Sequence, residues 1–139
     1  DFFTIPYPDT WGVLMRRDSP LAEKEAITPE DLWDKPLILS HQRNEDLRLS
    51  RWFQCEPSQL HVVATYNLLY NASLLVDEGL GYAVTLDKLL NTQGSSLCFR
   101  PLSPGLVAEA CLVWKKYQVF SRAARLFLDS LRDLLAVPL

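Results

Sequence analysis

The sequence predicts an α/β fold: an open, mostly parallel sheet with helices on both faces. Three observations carry this expectation. Short apolar runs rich in β-branched residues recur, with HVVATY (61–66) and GYAVTL (81–86) the clearest. Between them, residues 68–78 place Leu69, Ala72, Leu75 and Val76 near one helical face and end at Gly79, a natural helix stop. Strand-like and helix-like segments alternate through the middle of the chain, and that order feeds crossover connections into a parallel sheet.

Each element follows from local chemistry. Residues 2–5 read as a short strand halted by Pro6 and Pro8. WGVLM (11–15) is an apolar run suited to a strand covered on both faces. Residues 16–20 form a turn and 21–26 a short helical turn. Thr28-Pro29-Glu30-Asp31 starts a helix: Thr28 can cap, Pro29 suits the first helical position, and Asp31 stands three residues after the cap. Residues 36–39 make the next strand, and 44–54 a helix with Leu47, Leu49, Trp52 and Phe53 on its apolar side. After the strand–helix–strand passage 61–86 come a helical turn at 86–91, a strand at 97–102 and another at 110–115. Ser121 caps the last helix, whose Ala124, Phe127, Leu128, Leu131 and Leu135 form an apolar stripe. That stripe reads as core packing, with a partner surface as the other option.

Composition narrows the function classes. The chain has 139 residues, 48% apolar and 22% charged, with a net charge of −3. That length supports one domain with a real core. The negative balance gives no general attraction to nucleic acid or to anionic lipid. Cys55, Cys98 and Cys111 lie far apart, without zinc or redox spacing, and an odd, unframed count suits a reducing cytoplasm. No apolar run is long enough to cross a membrane, and no secretory signal is visible. The opening residues read as the middle of a longer protein. No catalytic residue, metal site or cofactor motif emerges. Gly79 and Gly81 follow a helix rather than opening one, so they read as turn geometry rather than a phosphate loop. His61 starts a strand and is expected to pack. Cys55 has no evident base beside it, and Glu30, Asp31 and Asp34 read as a helix-start cluster.

The stretch KPLILSHQRNED (35–46) is the informative one. A buried strand stops abruptly and a cluster of hydrogen-bonding groups follows: Ser40, His41, Gln42, Arg43, Asn44. In open α/β sheets ligands sit outside the carboxyl ends of strands, where loop N–H groups and helix N-termini point into the crevice. The cluster stands at such an end. An ordinary helix cap by Ser40 or Asn44 explains the same residues equally well.

Read together, several segments resemble one family. WGVLMRRDSPLAEKEAITPEDLWDKPLILSHQ (11–42) resembles the start of the second effector-binding lobe of LysR-type transcriptional regulators. LLVDEGLGYAVTLDKL (74–89) resembles that lobe's helix, Gly-x-Gly turn and strand. LVWKKYQVFSRAARLFLDSLRD (112–133) resembles the family's returning strand and final helix. The likeness covers most of the chain and rests on the order and spacing of the pieces.

The resemblance implies a periplasmic-binding-protein-like (type II) lobe that holds a small effector in a cleft between lobes. Residues 1–105 would be the second lobe with its crossover strands. Residues 106–139 would be the strand and helix that complete the first lobe, here without their sheet neighbours. Effector ligands would come from Ser40, His41 and Gln42, from Tyr66 and Asn67 after the next strand, and from Thr85 at the end of GYAVTL. Small side chains and free N–H groups there suit an anion such as a carboxylate. DNA would be reached only through an N-terminal helix-turn-helix absent from this chain, and no membrane partner is implied. A homodimer through 106–139 is expected, and the family acts in the cytoplasm. The alternative is a lobe of a transport-type solute-binding protein, which has the same fold. A small α/β enzyme would need a perturbed titratable pair in a cleft, and the sequence offers none.

Overall fold

The computed structural model describes residues 1–42 and 47–135. Its strands are β1 (Phe2–Thr4), β2 (Asp9–Arg16), β3 (Leu37–Ser40), β4 (Val62–Tyr66), β5 (Tyr82–Leu86), β6 (Leu97–Pro101), β7 (Val107–Ala108) and β8 (Cys111–Val113). Its helices are α1 (Pro29–Leu32), α2 (Leu47–Trp52), α3 (Leu69–Asp77) and α4 (Arg122–Leu135), with short 3-10 turns at Pro20–Glu23 and Pro57–Gln59. The chain forms two compact units, Asp9–Ala108 and Asp1–Pro8 with the chain from Glu109 onward.

The larger unit is built on a sheet of order β4-β3-β5-β2-β6, with β7 paired to the start of β2. β3 runs parallel to both β4 and β5, because α2 and α3 carry the chain back across the sheet after β3 and β4. β2 runs antiparallel to β5, β6 and β7. The sheet is therefore mixed: the parallel sense expected throughout belongs to the β4-β3-β5 half.

Side-chain alternation sorts the core into two layers. Val13, Met15, Leu37, Leu39, Val84 and Cys98 face one side, where Leu32, Leu49, Trp52 and Phe53 cover them. Leu14, Ile38, Ala83 and Leu97 face the other, where Leu69, Ala72 and Val76 of α3 cover them. Helices thus lie on both faces, as expected. Full burial of a side chain such as Leu14 or Ile38 contributes about 1.5–3 kcal/mol, so these two layers dominate the stability of the unit.

Local signals set the ends. The Asp31 carboxylate accepts hydrogen bonds from the Thr28 N–H at 2.9 Å and the Thr28 hydroxyl at 3.0 Å, which fixes the start of α1. The helix expected over 44–54 is observed as Leu47–Trp52; Asn44 to Asp46 lie outside the described residues. It stops before Gln54, whose φ of 54° is left-handed. Trp33 Nε1 donates to Phe53 O at 2.7 Å and Trp52 Nε1 to Pro104 O at 2.8 Å, tying this helix end down. Gly79, with φ 80°, ends α3 as the sequence indicated. The helical turn expected at 86–91 does not form. Lys88 takes a φ of 63° and its N–H bonds the Asp87 carboxylate at 2.8 Å, a local alternative to helix.

In the smaller unit β1 and β8 form an antiparallel pair in which Phe2 faces Val113 and Thr4 faces Cys111. The strand expected at 110–115 without neighbours thus has one, and this pairing draws the first eight residues to the C-terminal segment. Ser121 Oγ accepts from the Ala124 N–H at 3.2 Å at the start of α4. Of the apolar stripe on α4 only Leu128 is buried, while Phe127 is 61% exposed.

Candidate functional site

The parallel half of the sheet brings three of the six candidate residues together. Ser40 at the end of β3 is the register partner of Tyr66 at the end of β4. Ile38 pairs with Ala83, so two residues later Ser40 comes level with Thr85 on β5. Alternation places Ser40, Tyr66 and Thr85 on the face that α3 covers, at the carboxyl ends of three adjacent parallel strands. His41 and Gln42 follow Ser40 and are exposed, and Asn67 follows Tyr66 and is exposed.

The three hydroxyls have different tasks. Ser40 Oγ accepts a hydrogen bond from the Gln42 N–H at 3.3 Å, which folds the strand exit into a turn. Ser40 itself is half-buried, so its hydroxyl can serve both the turn and a ligand. Tyr66, also half-buried, donates its hydroxyl to Val84 O at 2.8 Å. Burial pushes the Tyr66 phenol above its ordinary pKa, opposed in part by the polar Thr85 side chain. Thr85 is 2% exposed. Of the six candidates it is the buried one, while Ser40 and Tyr66 are half-buried and the others exposed.

Two residues beside this rim escaped the sequence reading. Gly12 on β2 is the register partner of Thr85, and a Cβ there would collide with the Phe99 ring and with Arg100 O. The Phe99 ring thus packs closely against Gly12, whose neighbour on β5 is Thr85. The signal was available: a lone Gly within the apolar run WGVLM marks a close approach. Trp11, one residue earlier, faces the opposite side of the sheet, and its Nε1 is buried with no partner among the described residues.

The remaining reactive groups stand apart from this rim. Burial, then the charge of Glu56, pushes the Cys55 thiol up, which disfavours a thiolate nucleophile. His61 is exposed rather than packed. Asp31 is spent on the α1 cap and on Lys24, 2.5 Å away. Among the described residues no His, Cys, Asp and Glu cluster could hold a metal ion, and no helix is long and apolar enough to cross a membrane.

The model of the LysR substrate binding domain matches residues 6–136. This chain belongs to that family. The LysR substrate binding domain described here is 27% identical over 128 residues to the uncharacterized HTH-type transcriptional regulator YvbU of Bacillus subtilis (strain 168). That match covers 91% of this chain but 44% of the relative, so the chain spans under half of that protein's length. Solved structures share the fold. HinK, a LysR family transcriptional regulator from Pseudomonas aeruginosa, matches with a TM-score of 0.78 at 18% identity, covering 97% of this chain and 48% of that one. The Synechocystis PCC6803 CcmR regulatory domain, solved in complex with 2-PG, matches at 0.73 and 18%, covering 99% and 68%. The effector binding domain of QuiR, in complex with shikimate, matches at 0.73 and 14%, covering 97% and 66%. Membership in this family favours the regulator over the transport-type solute-binding alternative.

Proposed function

We propose that this chain senses a small metabolite for a LysR-type transcriptional regulator, and that the effector rests against the rim formed by Ser40, His41, Gln42, Tyr66 and Asn67, with Thr85 positioning Tyr66 from below. The convergence of Ser40, Tyr66 and Thr85 at the carboxyl ends of β3, β4 and β5 carries this reading, because ligands of open α/β sheets collect there. Two structural relatives were solved with 2-PG and shikimate, which supports a small, oxygen-rich effector. The hydroxyls and backbone N–H groups of the rim suit a carboxylate or phosphate, with the exposed His41 able to donate.

Control of transcription would follow from population shift. The effector binds one arrangement of the regulatory lobes better than another, and the difference in affinity is the work available. The larger unit would be the second lobe and the smaller unit part of the first. Contact with DNA would be made by a helix-turn-helix elsewhere in the protein, as the name of the B. subtilis relative suggests. A second copy of the chain would associate through residues 106–139, and the protein would work in the cytoplasm without catalysing a reaction.

The test is a thermal-shift and calorimetry screen of hydroxylated carboxylates and phosphates, with 2-PG and shikimate included. A binder should lose about tenfold in affinity, or about 1.4 kcal/mol, on Ser40→Ala or Asn67→Ala. Binders that ignore every change at Ser40, His41, Gln42 and Asn67 would refute the site. Light scattering over a concentration series checks the dimer, and a monomer at all concentrations would remove that part of the proposal.

A further inference from the structure

We infer that Phe99 is a specificity-determining residue of the rim: with Tyr66 it forms an aromatic floor that receives a flat, apolar ring of the effector. The inference rests on the effector position proposed above and adds the part of the ligand that the rim's polar groups do not select.

Register places both rings. Phe99 on β6 stands opposite Leu14 on β2, two residues from Gly12, and its side chain leans along β2 until the end of the ring fills the space a Gly12 side chain would take. Gly12 is the partner of Thr85, and directly opposed residues of an antiparallel pair hold their side chains on one face, about 4.5–5.5 Å apart at Cβ. The Phe99 ring therefore stands beside Thr85. On the other flank the Tyr66 phenol reaches Val84 O, one residue before Thr85, at 2.8 Å. Thr85 is buried, while both rings are half-buried and keep part of their surface open to solvent. Above Thr85 this end of the sheet thus offers a ligand aromatic surface rather than a hydroxyl.

Gly12 is what admits the ring. A glycine inside a strand weakens it, and any larger residue here would collide with Phe99 and Arg100 O. The result is a flat edge reaching toward Thr85 where an aliphatic branch on β2 would otherwise stand. Aromatic rings pair with other rings in offset or edge-to-face contact, which adds about two- to tenfold in affinity beyond the area buried. The polar end of the ligand belongs to Ser40 and its neighbours. Ser40 lies two strand spacings from Gly12 along the row, about 10 Å. An effector that reaches both is a ring carried on a short chain from its acid group.

Hydrocinnamate and cyclohexanepropanoate share that charge and chain and differ in the flatness of the ring. Each is titrated calorimetrically into the 139-residue chain and into Phe99→Leu, which keeps apolar bulk and removes the ring. Both acids are expected to saturate by about 10 mM. In Phe99→Leu the ratio of their affinities should shift about two- to tenfold against hydrocinnamate, whereas Ser40→Ala should weaken both acids equally. An unchanged ratio in Phe99→Leu overturns the inference; if Ser40→Ala still weakens both acids, the proposed effector position stands without it. A shifted ratio with no effect of Ser40→Ala upholds the aromatic floor and removes the polar anchor. No saturable binding of either acid overturns the inference. Far-UV circular dichroism checks that Phe99→Leu folds. Should it not, nuclear Overhauser contacts between the hydrocinnamate ring and the Phe99 ring in the unmutated chain support the floor, and their absence with ligand bound overturns it.

Discussion

Removing one oxygen atom, by Tyr66→Phe, tests how the rim is held. The phenol of Tyr66 crosses from β4 to donate to Val84 O on β5 at 2.8 Å, and the Thr85 side chain favours the ionised phenol. The ring stays in the variant, so apolar burial is unchanged and only polar contacts are lost. A neutral hydrogen bond of this geometry contributes about 1 kcal/mol net, and leaving the Val84 carbonyl without this donor adds up to about 1 kcal/mol. The expected loss is therefore about 1–2 kcal/mol, which lowers the unfolding midpoint of a chain this size by roughly 3–6 °C. A double-mutant cycle with Thr85→Val should show coupling of at least about 0.5 kcal/mol, since the Thr85 side chain acts on the Tyr66 phenol. The pH dependence follows from the raised phenol pKa. A group whose folded-state pKa lies above its unfolded value contributes stability in full below the unfolded value, near 10 for tyrosine, and loses it as pH rises through the folded value. The stability gap between parent and Tyr66→Phe should thus narrow above about pH 10. Chemical denaturation of the four variants, repeated at neutral and alkaline pH, measures all of this. A Tyr66→Phe protein as stable as the parent, or additive with Thr85→Val, would refute the argument that Thr85 acts through Tyr66.

Two further substitutions probe the frame beneath the rim. Gly12→Ala would drive a methyl group into the Phe99 ring and Arg100 O, so a loss of at least about 2 kcal/mol is expected in urea melts; Phe99→Ala should restore only part of it, because the backbone oxygen remains. Asp31→Asn should cost about 1 kcal/mol at neutral pH through the α1 cap. Desolvation raises the Asp31 pKa, but hydrogen bonds from Lys24 and Thr28 outweigh it and hold the carboxyl below its ordinary value. That stability is present above the unfolded pKa near 4 and lost as pH falls through the folded value, so parent and variant should converge in acid denaturation.

Much of the larger unit was legible because its signals are local. The cap at Thr28 and Asp31, the stop at Gly79 and the apolar runs of β2, β3 and β5 each depend on residues within a few positions of one another. Places where the reading differs from the fold depend on distant partners or on single dihedral angles. The sequence of 86–91 allowed a helical turn, and the left-handed Lys88 decided against it. β7 is two residues long and exists only because Asp9 and Thr10 offer it an edge. The segment 110–115 was read as a strand without neighbours, yet β1 was available more than a hundred residues earlier in the chain.

The candidate site divides in the same way. Ser40, Tyr66 and Thr85 could be named one strand at a time, since each ends an apolar run just where polar residues begin. Their tasks could not be named so. Thr85 stands as an effector candidate from its position after GYAV, and only the fold shows that it is buried. Phe99 carried no sign of its own, and only its approach to Gly12 places it beside the rim.

The sequence alone therefore determined the α/β alternation, the start of α1, the stop of α3 and the family, all written in patterns a few residues wide and in their order along the chain. Only the tertiary structure decided which strands are neighbours, in what sense they run, and which hydroxyl meets which. Those outcomes depend on hydrogen bonds and contacts between segments tens of residues apart, where a one-residue change of register would point every side chain to the opposite face.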